Sequence, residues 1–107
     1  MKLKQLNDPF QNKEHTSINY EIRCLKNKLQ AMKKEEELYQ KERSKLRSYY
    51  QKLAVATGID VENWRGSVEF RTYMNTKAVK KHMLLSELCE QLQNQIDQLK
   101  ARKKILQ

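Results

Sequence analysis

Two cysteines, two histidines, one tryptophan and five tyrosines carry most of the reactive and ligand-binding chemistry in this 107-residue chain. His82 and Cys89 stand seven positions apart, which on a helix separates them by about 10 Å along the axis, too far for one metal ion to reach both. Neither His15 nor Cys24 has further ligands beside it at a zinc spacing, and no Cys–His nucleophile signature surrounds either cysteine. Loops that cradle phosphates need several glycines, and only Gly58 and Gly66 occur. The residues therefore predict no enzyme, no metal or other cofactor, and no small-molecule substrate.

Charge is the chemistry that remains. Lys and Arg number 22 against 13 Asp and Glu, a formal charge of +9. Residues 17–57 hold ten basic and five acidic side chains, 76–107 seven and three, and 58–75 only two and three. Lys100, Arg102, Lys103 and Lys104 are candidate phosphate contacts, since cations that neutralise phosphates release counterions and gain a sequence-independent, salt-sensitive affinity. Trp64 and Tyr73 are the aromatic residues left to stack on bases, because Tyr39 and Tyr50 fall on a helix seam. The same residues also read more plainly, the charges as a solvated helix surface like Lys33-Lys34-Glu35-Glu36-Glu37 and the aromatics as core.

The elements that would position these groups are helical. Apolar residues make up 38% and charged residues 33%, less apolar material than a compact globule of this size carries, and the chain forms one domain at most. Residues 1–16 are polar, hold the only Pro and show no periodicity, which predicts a flexible tail. From Ser17 to Thr57 neither Gly nor Pro occurs, and Ile18, Leu25, Met32, Tyr39, Leu46 and Leu53 recur every seven residues. Taken as d positions, they have Ile22, Leu29, Glu36, Arg43 and Tyr50 as their a positions, the pattern of a coiled-coil helix. Gly58 ends it by supplying a left-handed C-terminal residue. Residues 58–75 alternate, with Ile59, Val61, Val68, Phe70 and Met74 able to share a face around Arg65-Gly66, and are expected to form a short β-hairpin; a helical turn at 60–65 is the competing reading. Asn75 or Thr76 can cap a second helix over 76–107, where Leu85, Leu92, Leu99 and Leu106 again repeat by seven beside His82, Cys89, Ile96 and Lys103.

The expected fold is mainly α, two coiled-coil helices in an antiparallel hairpin joined by a β-hairpin-like connector. Folding back can pair Leu53 with Leu85, Leu46 with Leu92, Tyr39 with Leu99 and Met32 with Leu106, and it sets Glu36 against Lys103. A parallel homodimer would instead oppose Glu36 to Glu36 and Arg43 to Arg43, desolvating like charges. The expected interface comprises these leucines and tyrosines with Ile18, Ile22, Leu25, Leu29, Met32, Tyr50, Cys89 and Ile96. In this register Ile22, Leu25 and Leu29 lie beyond the second helix and await another chain.

Leu53-Ala54-Val55-Ala56-Thr57-Gly58-Ile59, followed by Trp64, resembles the turn of helix-turn-helix proteins, where Ala permits close helix approach and Gly makes the turn. Tyr50, Leu53 and Gly58-Ile59-Asp60-Val61-Glu62, then Gly66-Ser67-Val68-Glu69-Phe70, resemble the place where coiled-coil subunits of the outer kinetochore run into their small sheet domains. The resemblance covers about twenty residues, and a leucine repeat follows where those domains continue in strands. It implies a part in coiled-coil assembly, chromosome- or cytoskeleton-associated. No secretory signal and no apolar run of membrane-spanning length occurs, and two cysteines without an export signal suit a reducing compartment, so nucleus or cytoplasm is expected. The expected function is a non-enzymatic interaction subunit with a coiled-coil partner or with itself; the alternative is a nucleic-acid-binding regulator using residues 53–66 and the basic helix faces.

Overall fold

The computed structural model describes residues 9–106, with side chains described from Ser17 onward. Helix α1 is Pro9–Ala56, a 3₁₀ turn covers Val61–Gly66, α2 is Val68–Met74 and α3 is Lys77–Leu106. Residues 9–16 are thus helical backbone and not tail, beginning at a Pro, which a helix tolerates in its first turn because the missing N–H would have had no partner there. The rest of the expected tail lies outside the described residues. None of the helices among the described residues is long and apolar enough to cross a membrane.

No strand occurs among the described residues, so the expected β-hairpin at 58–75 gives way to the helical turn. An isolated two-stranded hairpin is marginal in water, and local caps favour helix here. Gly58 takes φ +89°, the amide of Ile59 donates to the Ala54 carbonyl at 3.0 Å, and Gly58 N–H donates to Val55 at 3.0 Å. Those two bonds are the Schellman pattern that satisfies the last carbonyls of α1. Ser67 then caps α2: its hydroxyl accepts from Phe70 N–H at 3.1 Å and donates to the Trp64 carbonyl at 2.6 Å. Of the two expected caps of α3, Thr76 serves, accepting from Val79 N–H at 3.4 Å and donating to the Tyr73 carbonyl at 2.7 Å.

The chain divides into two compact units, Met32–Leu88 and the described parts of Met1–Ala31 with Cys89–Gln107. In the latter, Ile18, Ile22 and Leu29 of α1 and Cys89, Leu92 and Ile96 of α3 are buried, with Leu25, Leu99, Lys103 and Leu106 half-buried. Alternating spacings of three and four put all of these on one stripe of each helix. Ile22, Leu25 and Leu29 are therefore covered within the chain, contrary to the expectation that they await another one. Leu25 shares a groove with Leu99, and Ile22 shares one with Lys100 and Lys103.

In the Met32–Leu88 unit, Met32, Glu36, Tyr39, Arg43, Leu46 and Tyr50 face inward along α1, and Ala78, Val79, His82, Leu85 and Ser86 along α3. Arg43 meets His82 and Glu36 meets Ser86, so the helices run antiparallel here. Tyr39, not Leu53, is therefore level with Leu85, a register two heptads away from the expected one. The cause is the connector. Ala54, Trp64, Tyr73 and Val79 form a buried cluster, packed by Leu46, Tyr50, Ile59, Phe70 and Met74. The 3₁₀ turn and α2 thus cover the last two heptads of α1, and α3 can begin only farther down it. Leu53 is left 41% exposed, while its neighbour Ala54, 2% exposed, takes the inward place because a small side chain admits Trp64.

Candidate functional site

The Met32–Leu88 unit has a polar group in its apolar seam. The Arg43 Nε donates to the Tyr73 hydroxyl at 2.9 Å, and Nη1 lies 2.9 Å from His82 Nδ1. A guanidinium only donates, so Nδ1 is the acceptor in this pair. The Arg43 Cζ is 5.9 Å from the Tyr73 ring centroid, but with Nε on the hydroxyl the cation sits at the oxygen end of the ring, and the hydrogen bond rather than the ring face holds it. Tyr73 in turn belongs to an aromatic cluster, with centroids 6.0 Å from Trp64, 6.2 Å from Phe70 and 6.5 Å from Tyr50. Trp64 meets Phe70 edge-on at 5.2 Å and 84°. His82 is thus spent on Arg43, and among the described residues no three His, Cys, Asp or Glu side chains gather to hold a metal ion.

Trp64 lines two cavities. One is an apolar groove of about 350 Å³, walled by Ala54 and Val55 of α1, by Ile59 and Val61, and rimmed by Lys52 and Asp60. Val55 and Val61 are exposed, Val61 at 75%. The other is a cavity of about 240 Å³ lined by Arg43, Arg47 and Arg65 against Trp64, Phe70, Tyr73 and Met74. No carboxylate lines it, and Arg47 and Arg65 make no ion pair among the described residues. The arrangement can take an apolar side chain in the groove and an anionic one in the neighbouring cavity, with Trp64 in both linings.

The four expected phosphate contacts are not one cluster. Lys100 and Lys103 line a groove of about 490 Å³ together with Arg23 and Lys26 of α1, whereas Arg102 lines a different groove, beside Glu21. Lys104 is exposed and lines neither. Arg23 and Lys26 went unmatched to Lys100 and Lys103 in the sequence because the expected register set this part of α1 beyond the end of α3. Tyr20, one turn before Arg23, is 67% exposed. Its hydrogen bond to Cys24 raises its hydroxyl above the usual phenol range.

The segment 53–66 does not supply a groove-reading helix. After the matching Ala54 and Gly58 comes a 3₁₀ turn of six residues, with Trp64 buried in the core. Neither Trp64 nor Tyr73 is exposed for base stacking; both are core, the plainer of their two readings. Of the expected interface residues, Ile18, Ile22, Leu29, Leu85, Cys89, Leu92 and Ile96 are buried, and Leu25, Met32, Tyr39, Leu46, Tyr50, Leu99 and Leu106 half-buried; Leu53 alone is exposed. The chain matches no protein-family model, no curated protein and no solved structure.

Proposed function

We propose that the chain is a non-enzymatic interaction subunit of an intracellular assembly, an antiparallel helical hairpin that pairs with itself along its heptad seam and offers its tip to a partner protein. The two cavities that share Trp64 carry this reading. An apolar groove beside an arginine-lined cavity without a carboxylate is complementary to an amphipathic segment with an apolar anchor next to acidic side chains. Anchors of this kind, seated in pockets and flanked by charge pairs, supply most of the energy of protein interfaces. A chromosome- or cytoskeleton-associated assembly rests on the resemblance of residues 50–70 to a kinetochore coil exit alone, since a 3₁₀ turn and a helix stand where that resemblance implies strands.

The test is co-purification with tip variants. Val61 and Arg65 are both exposed, so Val61→Asp and Arg65→Glu should leave helicity unchanged. A stoichiometric partner that comes down with the wild type should be lost from both. Retention of that partner by the two folded variants would show that docking lies elsewhere.

A further inference from the structure

The cavity in which the tip would seat an anionic side chain is lined by three arginines, Arg43, Arg47 and Arg65, and by no carboxylate. Arg43 is held in place, its Nε on the Tyr73 hydroxyl and its Nη1 on His82 Nδ1, each at 2.9 Å, and its Nη2 has no protein partner. Arg47 and Arg65 are exposed and make no ion pair among the described residues. A single carboxylate would leave two of these three charges unanswered. A phosphate monoester carries about −1.5 to −2 at neutral pH and three terminal oxygens, and guanidinium forks bind it through paired hydrogen bonds. One cation already fixed lowers the ordering cost of binding.

Two neighbouring grooves decide what carries the phosphate. Arg47 stands one helical turn, about 6 Å, before Gln51, which lines the apolar groove, and residues so spaced share a helix face. Cavity and apolar groove thus follow one another along α1. Alternate side chains of an extended peptide are about 6.6 Å apart, so a phosphorylated residue and an apolar one two positions away can enter both together, whereas free phosphate would leave the groove unused. A third groove, of about 500 Å³, shares Ile59 and Asp60 with the apolar one and is lined by Asp60 and Glu62 and by no Lys or Arg. Asp60 precedes the 3₁₀ turn without a side-chain cap bond. A polynucleotide or an anionic membrane would carry further phosphates onto these carboxylates, and a peptide with one phosphate does not. We propose that the tip binds a phosphorylated Ser or Thr of its partner protein, the phosphate among Arg43, Arg47 and Arg65 and an apolar side chain of the same segment beside Val55 and Val61. Docking is then switched by a kinase that acts on the partner. This inference rests on the reading that the tip docks a protein.

The experiment follows Trp64 emission in the full chain, since Trp64 is the only tryptophan and lines both cavities. The titrant is acetyl-Ala-phosphoSer-Ala-Leu-Ala-amide, set against the same peptide with Glu for phosphoSer, the same peptide with Gly for Leu, and inorganic phosphate. The phosphopeptide should bind about tenfold or more tighter than the Glu peptide, and about fivefold tighter than the one without Leu. Arg47→Gln/Arg65→Gln should weaken it about tenfold or more, whereas Lys33→Gln/Lys45→Gln removes the same charge from exposed positions elsewhere in the unit and should stay within about twofold of wild type. Circular dichroism on the same samples checks folding, and if the arginine pair unfolds the chain, Arg65→Gln alone should still cost about threefold. Equal affinity for the phosphoSer and Glu peptides would overturn the phosphate assignment and leave the tip to an acidic segment. Inorganic phosphate binding as tightly as the peptide would reduce the cavity to a free-anion site, and oligouridylate competing better than the peptide at equal phosphate would assign it to a nucleic acid. No saturable change in emission up to about 5 mM phosphopeptide would remove the site altogether. A co-purified partner should be released by phosphatase treatment. One that is lost from Val61→Asp and Arg65→Glu yet withstands the phosphatase would refute this inference and keep docking at the tip.

Discussion

Replacing Arg43 by Met should destabilise the hairpin by about 2–3 kcal/mol. Met keeps the apolar stem but removes both donors, and hydrogen bonds from a charged group contribute about 1.5–3 kcal/mol each. The two losses differ. Tyr73 is 3% exposed, so its hydroxyl loses its partner in the core at a further cost of about 1–3 kcal/mol, whereas half-buried His82 can turn to water. Relief from holding a half-buried cation offsets part of the sum, which leaves the net figure. It corresponds to a fall in melting temperature of about 10–20 °C at this chain length. Urea titrations followed by helicity and by fluorescence measure it directly, because Trp64 is the only tryptophan and belongs to the same cluster as Tyr73. Tyr73→Phe removes the orphaned hydroxyl, so Arg43→Met should cost about 1–2 kcal/mol less in that background. Strictly additive losses, or an Arg43→Met cost below about 0.5 kcal/mol, would refute the reasoning that this bond ties α1 to α2.

Leu53→Asp and Leu85→Asp distinguish the two registers: with Leu53 41% exposed and Leu85 7%, the first should cost under about 1 kcal/mol and the second several, as for a carboxylate forced into an apolar seam. Equal costs in chemical denaturation would restore the layer in which they face each other. Gly58→Ala should cost about 1–2 kcal/mol through its positive φ alone, since an added Cβ meets nothing within 4 Å, and Gly58→Asn should cost less. Ser67→Ala should cost about 1 kcal/mol by removing the acceptor for Phe70 N–H, measurable as a lower urea midpoint at unchanged slope.

The seam and the helix stop were legible in the sequence; the connector and the register were not. Heptads from Ile18 to Leu46 and from Leu85 to Leu106 point inward because periodicity over many turns leaves one face to bury. Gly58 was legible because few residues accept its φ. Between Ile59 and Met74 the alternation was too short to separate strand from helix, and Ser67 and Trp64 decided it through contacts no local pattern displays. That one uncertainty propagated. A two-residue turn and a packed 3₁₀–helix segment consume different lengths of α1, so the register followed from the connector. The basic groove followed from the register, which is why Lys100 and Lys103 were found without Arg23 and Lys26.

Heptad spacing alone permits any slip of seven; the connector sets where α3 can begin, and the polar part of the seam reinforces that register. At the observed register Arg43 meets both Tyr73 and His82, and Glu36 accepts from the Ser86 hydroxyl, so these polar seam groups find partners inside the Met32–Leu88 unit. A slip of two heptads would set Arg43 against Ile96 and His82 against Thr57, gaining the Glu36–Lys103 pair but leaving a cation on an apolar wall. Removing a partner from a buried or half-buried charge costs more than a pair of exposed ions returns. A seam of leucines throughout would bind more tightly and specify less, since each layer would accept each slip equally well. The polar residues that make this sequence a poor generic zipper are therefore the ones that favour a single register in the Met32–Leu88 unit. The same register packs the connector against α1 and so forms the cavities beside Trp64.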